Sequence, residues 1–316
     1  MTTYEKPHLS IDQQIDLLES RGLVVPDREE ARHYLGTVGY YAMGSYWYPA
    51  RRVVDEGSGS RPADTFVDGA SFSDAAALYL FDQKLRLIAL EALERVERAL
   101  KVSVAYTLGK RDLFAHRDAV FMHRGFVTDR YWNHARWVAD LDGKVKRKGH
   151  QHIKAVHDRY NGKLPIWIAI EVMDFGDISR LIWGMSEEHA EPVAEALNLY
   201  TVKALVSWSR AMNHLRNLCA HHQRLWNREL TVQPSAARGP LRAFFAQIDG
   251  EERLWQRPYA ALLVLAYLHE QVVPGSAWPQ VLGAHLQRLP VSPGVNHGEM
   301  GAPDAWHAHP AWGLTA

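Results

Sequence analysis

The sequence predicts an all-α protein. Three observations carry this. Apolar residues recur at three- and four-residue spacings, Ser, Thr and Asp residues precede the periodic segments as caps, and no alternating strand pattern of useful length appears. With 316 residues, 47% of them hydrophobic and 11 of them Trp, the chain has ample material for a core and is not a disordered segment.

The elements follow in order. Ser10 with Gln13 reads as a capping box, and Gly22 as the stop of the first helix. Asp27 with Glu30 opens a second short helix. Gly39 to Pro49 is aromatic and Gly-punctuated, which reads as a packed turn or helix end, with ligand binding the minority reading. Val54 to Asp64 is rich in Gly, Ser and Asp and is expected to be a loop. Ser73 is the expected cap of a long helix to about Leu108, with Leu78, Phe81, Leu85, Ile88, Leu93, Val96 and Leu100 on its inner face. Its other face carries Glu91, Glu94, Arg95, Glu97, Arg98 and Lys101, a charge pattern that suits solvent.

A third long helix is expected from Thr128 to about His152. It ends in Lys144, Lys146, Arg147, Lys148, His150 and His152, groups that could touch a phosphate backbone or sit solvated beside the helix C-terminal dipole. Pro165 starts a helix to about Met173, Asp177 restarts one, Ser186 starts another, and Thr201 caps a helix from Val202 to about Arg228. Ser235 to Ile248, Tyr259 to Gln271 and Pro279 to Leu289 read as three more, and the tail from Pro290 as irregular.

Bulk properties narrow the function. The 36 basic and 36 acidic side chains cancel, which argues against a strongly basic nucleic-acid coat but not against a local basic groove. Cys219 is the one cysteine, so no internal disulfide forms and a reducing compartment fits. Met1 to Ile11 lacks an apolar signal core, and the longest apolar run, Tyr259 to Leu268, is too short to span a bilayer. A soluble cytoplasmic protein is expected.

Most of the chemistry lies in Asn213 to Arg228. On a helical wheel Leu205, Trp208, Met212, Leu215, Cys219 and Trp226 form an apolar stripe. Asn213, Asn217, His221, Arg224 and Arg228 form the opposite, polar stripe, with Arg216 on its flank about 140° from His221. His222 falls at the edge of the apolar stripe and is expected to pack inside with a hydrogen bond. His221 is therefore the expected proton-transfer group, since an imidazole exchanges protons near neutral pH. Arg216 is the expected phosphate stabiliser, because a guanidinium forks onto phosphate oxygens. RNA carries its own nucleophile, the 2′-hydroxyl, so one imidazole and one guanidinium could suffice without a metal or cofactor. Asn217 would position either the imidazole or the phosphate.

The Arg-x4-His spacing alone is weak. A chain with 17 histidines gives on the order of one such pair by chance. This chain carries four: Arg28/His33, Arg111/His116, Arg147/His152 and Arg216/His221. The last alone combines an amide after the arginine with the long amphipathic helix. A metal site built from His150, His152, His221 and His222 is a weaker rival, because no HExxH-like spacing or cysteine set accompanies them.

The residues resemble the Abi-like proteins of bacterial abortive infection, the AbiD/AbiF type within the HEPN superfamily. Four blocks in the same order carry the resemblance. They are Lys6 to Gln14 with Leu17 and Leu18; Phe81 to Arg86 running into Glu91 to Glu97; Leu164 to Trp167 with Glu171, Phe175 and Gly176; and Arg216 to Arg228, the most specific. The chain departs from the family at Ala42 to Ser45, where larger polar residues are expected.

The resemblance implies a HEPN-type helical bundle with additional N- and C-terminal helices: residues 1–72 as an N-terminal segment and loop, 73–230 as the HEPN-like core, and 231–316 as a C-terminal extension. It also implies an endoribonuclease with the signature Arg-Asn-x-x-x-His, carried onto Arg216, Asn217 and His221, which leaves 2′,3′-cyclic phosphate ends. Asn213, His222, Arg224, Arg228 and Glu97 are the expected RNA-binding or supporting residues; Glu97, or Glu94 a turn earlier, would reach the site from the long helix. A homodimer and RNA are implied as partners, with a small non-coding RNA or a protein as a restraining antitoxin. A non-catalytic RNA-binding module is the alternative.

Overall fold

Capping chemistry starts the helices close to where the sequence places it. The computed structural model describes residues 7–55, 60–148 and 151–314. Ser10 and Gln13 form the expected capping box of α1 (Ile11–Ser20). Asp27 caps α2 (Arg28–Thr37) by accepting from the N–H groups of Glu29 and Glu30. The aromatic segment is a complete helix, α3 (Tyr40–Trp47), entered through Gly39 at φ +92°.

The described part of the expected loop over 54–64 is instead a hairpin. β1 (Arg51–Asp55) pairs antiparallel with β2 (Ser60–Phe66), Val53 opposite Pro62. Pro62 and a register shift between Arg51 and Val53 break the two-residue alternation, so pattern reading finds no strand there.

Ser71, not Ser73, caps α4 (Phe72–Gly109) by accepting from the Asp74 N–H; the Ser73 hydroxyl donates to Glu30 across to α2. Where a helix is expected to start at Thr128, α5 (Arg124–Thr128) ends and α6 (His134–Lys148) starts only at His134; α7 (Gln151–Arg159) is the next described helix. Asp129 separates the first two, because its carboxylate accepts from the N–H groups of Tyr131 and Trp132 and forms a turn. α8 (Ile166–Ala169) is a single turn after Pro165. Asp174 and Asp177 form a reciprocal capping box that starts α9 (Phe175–Gly184) two residues before the expected restart.

α10 (Glu187–Glu195) follows, and Thr201 caps α11 (Val202–Ala220) as expected. α12 (Glu252–Trp255), α13 (Pro258–Val272) and α14 (Trp278–Leu286) complete the helices among the described residues. Of the helix expected over 235–248, only a 3-10 turn over Gly239–Ala243 forms. Gly239 at φ +57° and Pro240 interrupt it.

The fold is all-α apart from the hairpin. α4 is its axis: α3, α10, α11, α13 and α14 all pack against it. One hydrophobic cluster runs from Ile15 to Trp312. α11 packs between α4 and α9, and its stripe of Leu205, Trp208, Met212, Leu215 and Cys219 is buried as expected. Among the described residues no helix is long and apolar enough to cross a membrane.

Candidate functional site

The motif helix stops at Ala220, eight residues earlier than expected. It closes with the paired bonds of a Schellman turn: the Gln223 N–H donates to the Leu218 carbonyl at 3.0 Å and the His222 N–H to the Cys219 carbonyl at 3.2 Å. His222 takes the left-handed position at φ +56°, where glycine is usual. No glycine marks the end, which is why the sequence does not show it.

The turn is tied down from behind. Asp82 of α4 is fully buried and accepts from the N–H groups of Leu225 and Trp226, the latter at 2.7 Å. It also accepts from the Tyr46 hydroxyl at 2.8 Å and pairs with Arg86. Burial pushes the Asp82 carboxyl up, against the pull of Arg86 and its donors. Residues 221–228 therefore leave the wheel, and three expectations change. His222 is exposed instead of packed inside. Arg224 turns away toward α3, donating to the Ser45 carbonyl at 2.9 Å. Arg228 lies close enough to His214 to act on its charge, rather than on a stripe with Asn213 and Asn217. Trp226 is buried, but through the Asp82 clamp and not through helical spacing.

On the helix itself the expected groups gather. Arg216 donates to the Asn217 side-chain oxygen at 2.9 Å, and its Nε lies 3.7 Å from Glu97 Oε2 on α4. Glu97 also pairs with Lys101 at 2.9 Å, so it serves two cations. Asn213 and Asn217 line a cleft of about 470 Å³ beside them. Its opposite wall is α9, with Arg180 and Trp183; Arg210 and His214 of α11 and Asp129 and Trp132 from the α5–α6 turn also line it. Trp132 lies between two guanidiniums, Arg136 at 4.5 Å and Arg180 at 5.0 Å from the ring centre. His214 is held below the usual histidine range by burial, with a further push from Arg228.

His221 caps α11 at φ −95°, and its side chain is exposed. Neither His221 nor Arg216 lines the 470 Å³ cleft. Arg216 sits at its edge through Asn217, and His221 lies beyond it at the helix end.

Arg180, Arg210, Trp132 and His214 are site groups that the sequence reading did not single out. Arg210 was within reach of it, at three and seven residues before Asn213 and Asn217 on the same helix. The others come together only through tertiary packing. Lys144, read as either a phosphate contact or a solvated helix-end charge, is instead bonded to Asp174 and Asp177 at 2.7 Å each. Lys146 and Arg147 remain exposed, while His150 lies outside the described residues, as does Lys6 of the first sequence block. Burial pushes the Cys219 thiol up to about 12, which removes it as a nucleophile near neutral pH. Among the described residues no group of three or more His, Cys, Asp and Glu side chains could hold a metal ion.

A family model described as Abi-like protein matches residues 33–227. No curated protein and no solved structure gives a significant match.

Proposed function

The chain belongs to the Abi-like protein family, and from that premise we propose that it is a HEPN-type endoribonuclease of an abortive-infection system, working without a metal as a homodimer. The observation that supports this most is the fixed Arg216 guanidinium, held by Glu97 and Asn217 at the rim of a cleft with two further arginines. A guanidinium held beside a cleft with two arginines and one carboxylate, Asp129, suits a phosphodiester whose charge grows in the transition state.

In this reading His221 takes the proton from a ribose 2′-hydroxyl. The 2′-oxygen attacks the adjacent phosphorus, and the bond from phosphorus to the 5′-oxygen breaks. The leaving 5′-oxygen takes up a proton from water and the protonated His221 returns its proton to solvent, so the products are a 2′,3′-cyclic phosphate and a 5′-hydroxyl. Arg216 stabilises the charged phosphorane, and Asn217 holds Arg216. A second copy, bringing its own helix end alongside, would set a His221 opposite an Arg216. Asn213, Arg210 and Arg180 would hold neighbouring phosphates, with Trp132 a surface for a base.

The test is cutting of RNA by purified protein in the presence of a chelator. His221→Ala and Arg216→Ala should abolish it while the helical circular-dichroism signal is kept. Unchanged cutting by both variants would refute the assignment.

The second reading, a non-catalytic RNA-binding module, is favoured by one observation: Arg216 and His221 of one chain share no lining in the cleft. Tight, salt-sensitive RNA binding with no cleavage under any condition would select it. An RNA or protein antitoxin that restrains the chain fits either reading.

A further inference from the structure

A larger cavity, about 870 Å³, lies on the other side of the Asp82 clamp, between α1, α3 and the hairpin. Its wall presents three guanidiniums, Arg21, Arg51 and Arg224, and the aromatic rings of Tyr40 and Tyr48. One carboxylate, Asp64, stands among them, 3.5 Å from Arg21 and 3.4 Å from Arg51. Arg224 has no ion pair among the described residues; its bond is to the Ser45 carbonyl. Burial pulls the Arg224 guanidinium below its usual value, against the smaller opposite pull of Tyr46 and the Asp82 carboxylate nearby. Behind the wall, two buried atoms of lining residues, the Tyr40 hydroxyl and Arg51 Nε, have no hydrogen-bond partner.

We propose that this cavity binds a nucleotide unit, its phosphate on Arg224 and Arg51 and its base against Tyr40 and Tyr48. The volume lies within the range of small-molecule sites. The excess of guanidinium over carboxylate selects an anion, and the aromatic walls select a planar apolar group on the same molecule. Arg51 already lies 5.5 Å over the Tyr48 ring, so cation and ring are adjacent as such a ligand requires. The unit comes either from a free nucleotide or from one residue of an RNA strand.

The site stands apart from the ribonuclease reading, because it uses neither Arg216 nor His221. It is joined to His221 by chain, since Arg224 follows three residues later within the clamped turn.

The experiment is calorimetric titration of the full-length protein with AMP, ATP, a short single-stranded RNA and inorganic phosphate. Arg224→Ala, Arg51→Gln and Tyr48→Ala are compared with an exposed control, Arg242→Ala, whose residue pairs with Asp249. We expect a free nucleotide or the RNA to bind far more tightly than phosphate. Loss of one charged contact should weaken that binding by about tenfold or more. Tyr48→Ala should weaken it too, and Arg242→Ala should not. Arg51→Gln and Tyr48→Ala keep the test decisive if Arg224→Ala fails to fold. Competition by AMP against the RNA assigns the source: displacement means a free nucleotide occupies the cavity, and RNA binding sensitive to Arg51→Gln but not displaced by AMP means an RNA residue does. No binding by any nucleotide or RNA, phosphate binding as tightly as either, or binding unchanged in Arg51→Gln and Tyr48→Ala would overturn the proposal. Each outcome is independent of whether His221→Ala still cuts RNA.

Discussion

The Asp82 carboxylate accepts a 2.7 Å hydrogen bond from the backbone N–H of Trp226, 144 residues further along the chain. This bond and its neighbours fix the turn after α11, and with it the position of His221. Two of the four blocks that carry the family resemblance, the one around Asp82 and the one from Arg216 to Arg228, are thus halves of one construction.

Asp82→Ala should unfold or severely destabilise the protein. It leaves Arg86 buried without a counter-charge and strands two backbone donors, at a cost of about 3–5 kcal/mol. Urea unfolding checks this. A loss below about 1 kcal/mol would mean that water or another group takes over.

Glu97→Ala should behave in the opposite way. Glu97 pairs with the partly exposed Arg216 at 3.7 Å and with the nearly buried Lys101 at 2.9 Å, so its removal should cost about 1–2 kcal/mol, less than Asp82→Ala. Cutting should fall by about 10- to 100-fold, because Arg216 loses its alignment. Measured kinetics and unfolding curves on the same preparation separate the two effects.

His222 occupies a left-handed backbone position that disfavours side chains. His222→Gly should stabilise by up to about 1 kcal/mol and His222→Val should destabilise by about 1–2 kcal/mol. If His221 alone moves the proton, His222→Gly should still cut RNA. A dead His222→Gly variant that folds normally would shift the chemistry to the second imidazole.

Acid should weaken the fold early. Burial lowers His116 to about 3, and lowers His269, His285 and His309 in the same direction. In the unfolded chain these groups take protons near pH 6.5, which the folded chain refuses. Stability is therefore full above about pH 6.5 and falls as pH drops, by about 1.4 kcal/mol per pH unit for each refused proton. For His116 the loss continues down to about pH 3. Urea midpoints at pH 7.5 and 5.5 test the sign; equal midpoints would contradict it.

The helices that depend on local chemistry were legible in the sequence. Ser10, Asp27 and Thr201 each cap a helix where their position indicates. The stripe from Leu205 to Cys219 is buried as its spacing requires. The residues gathered at the site were legible in part: Asn213, Arg216, Asn217 and Glu97 come together. What could not be read was set by contacts distant in sequence. Asp82 ends the regular course of the chain after Ala220, and that moves Arg224 into a separate cavity. Trp132 and Arg180 meet across 48 residues. The hairpin escapes pattern reading because its strands are interrupted by a bulge and a proline.

RNA incubated with the purified protein in a chelator, wild type beside His221→Ala, reports through the chemistry of its new ends whether this chain is a metal-independent nuclease. The wild type should leave 2′,3′-cyclic phosphate and 5′-hydroxyl ends, and the variant should leave the RNA intact. Equal cutting by the two proteins, or 3′-hydroxyl ends from the wild type, would contradict that assignment.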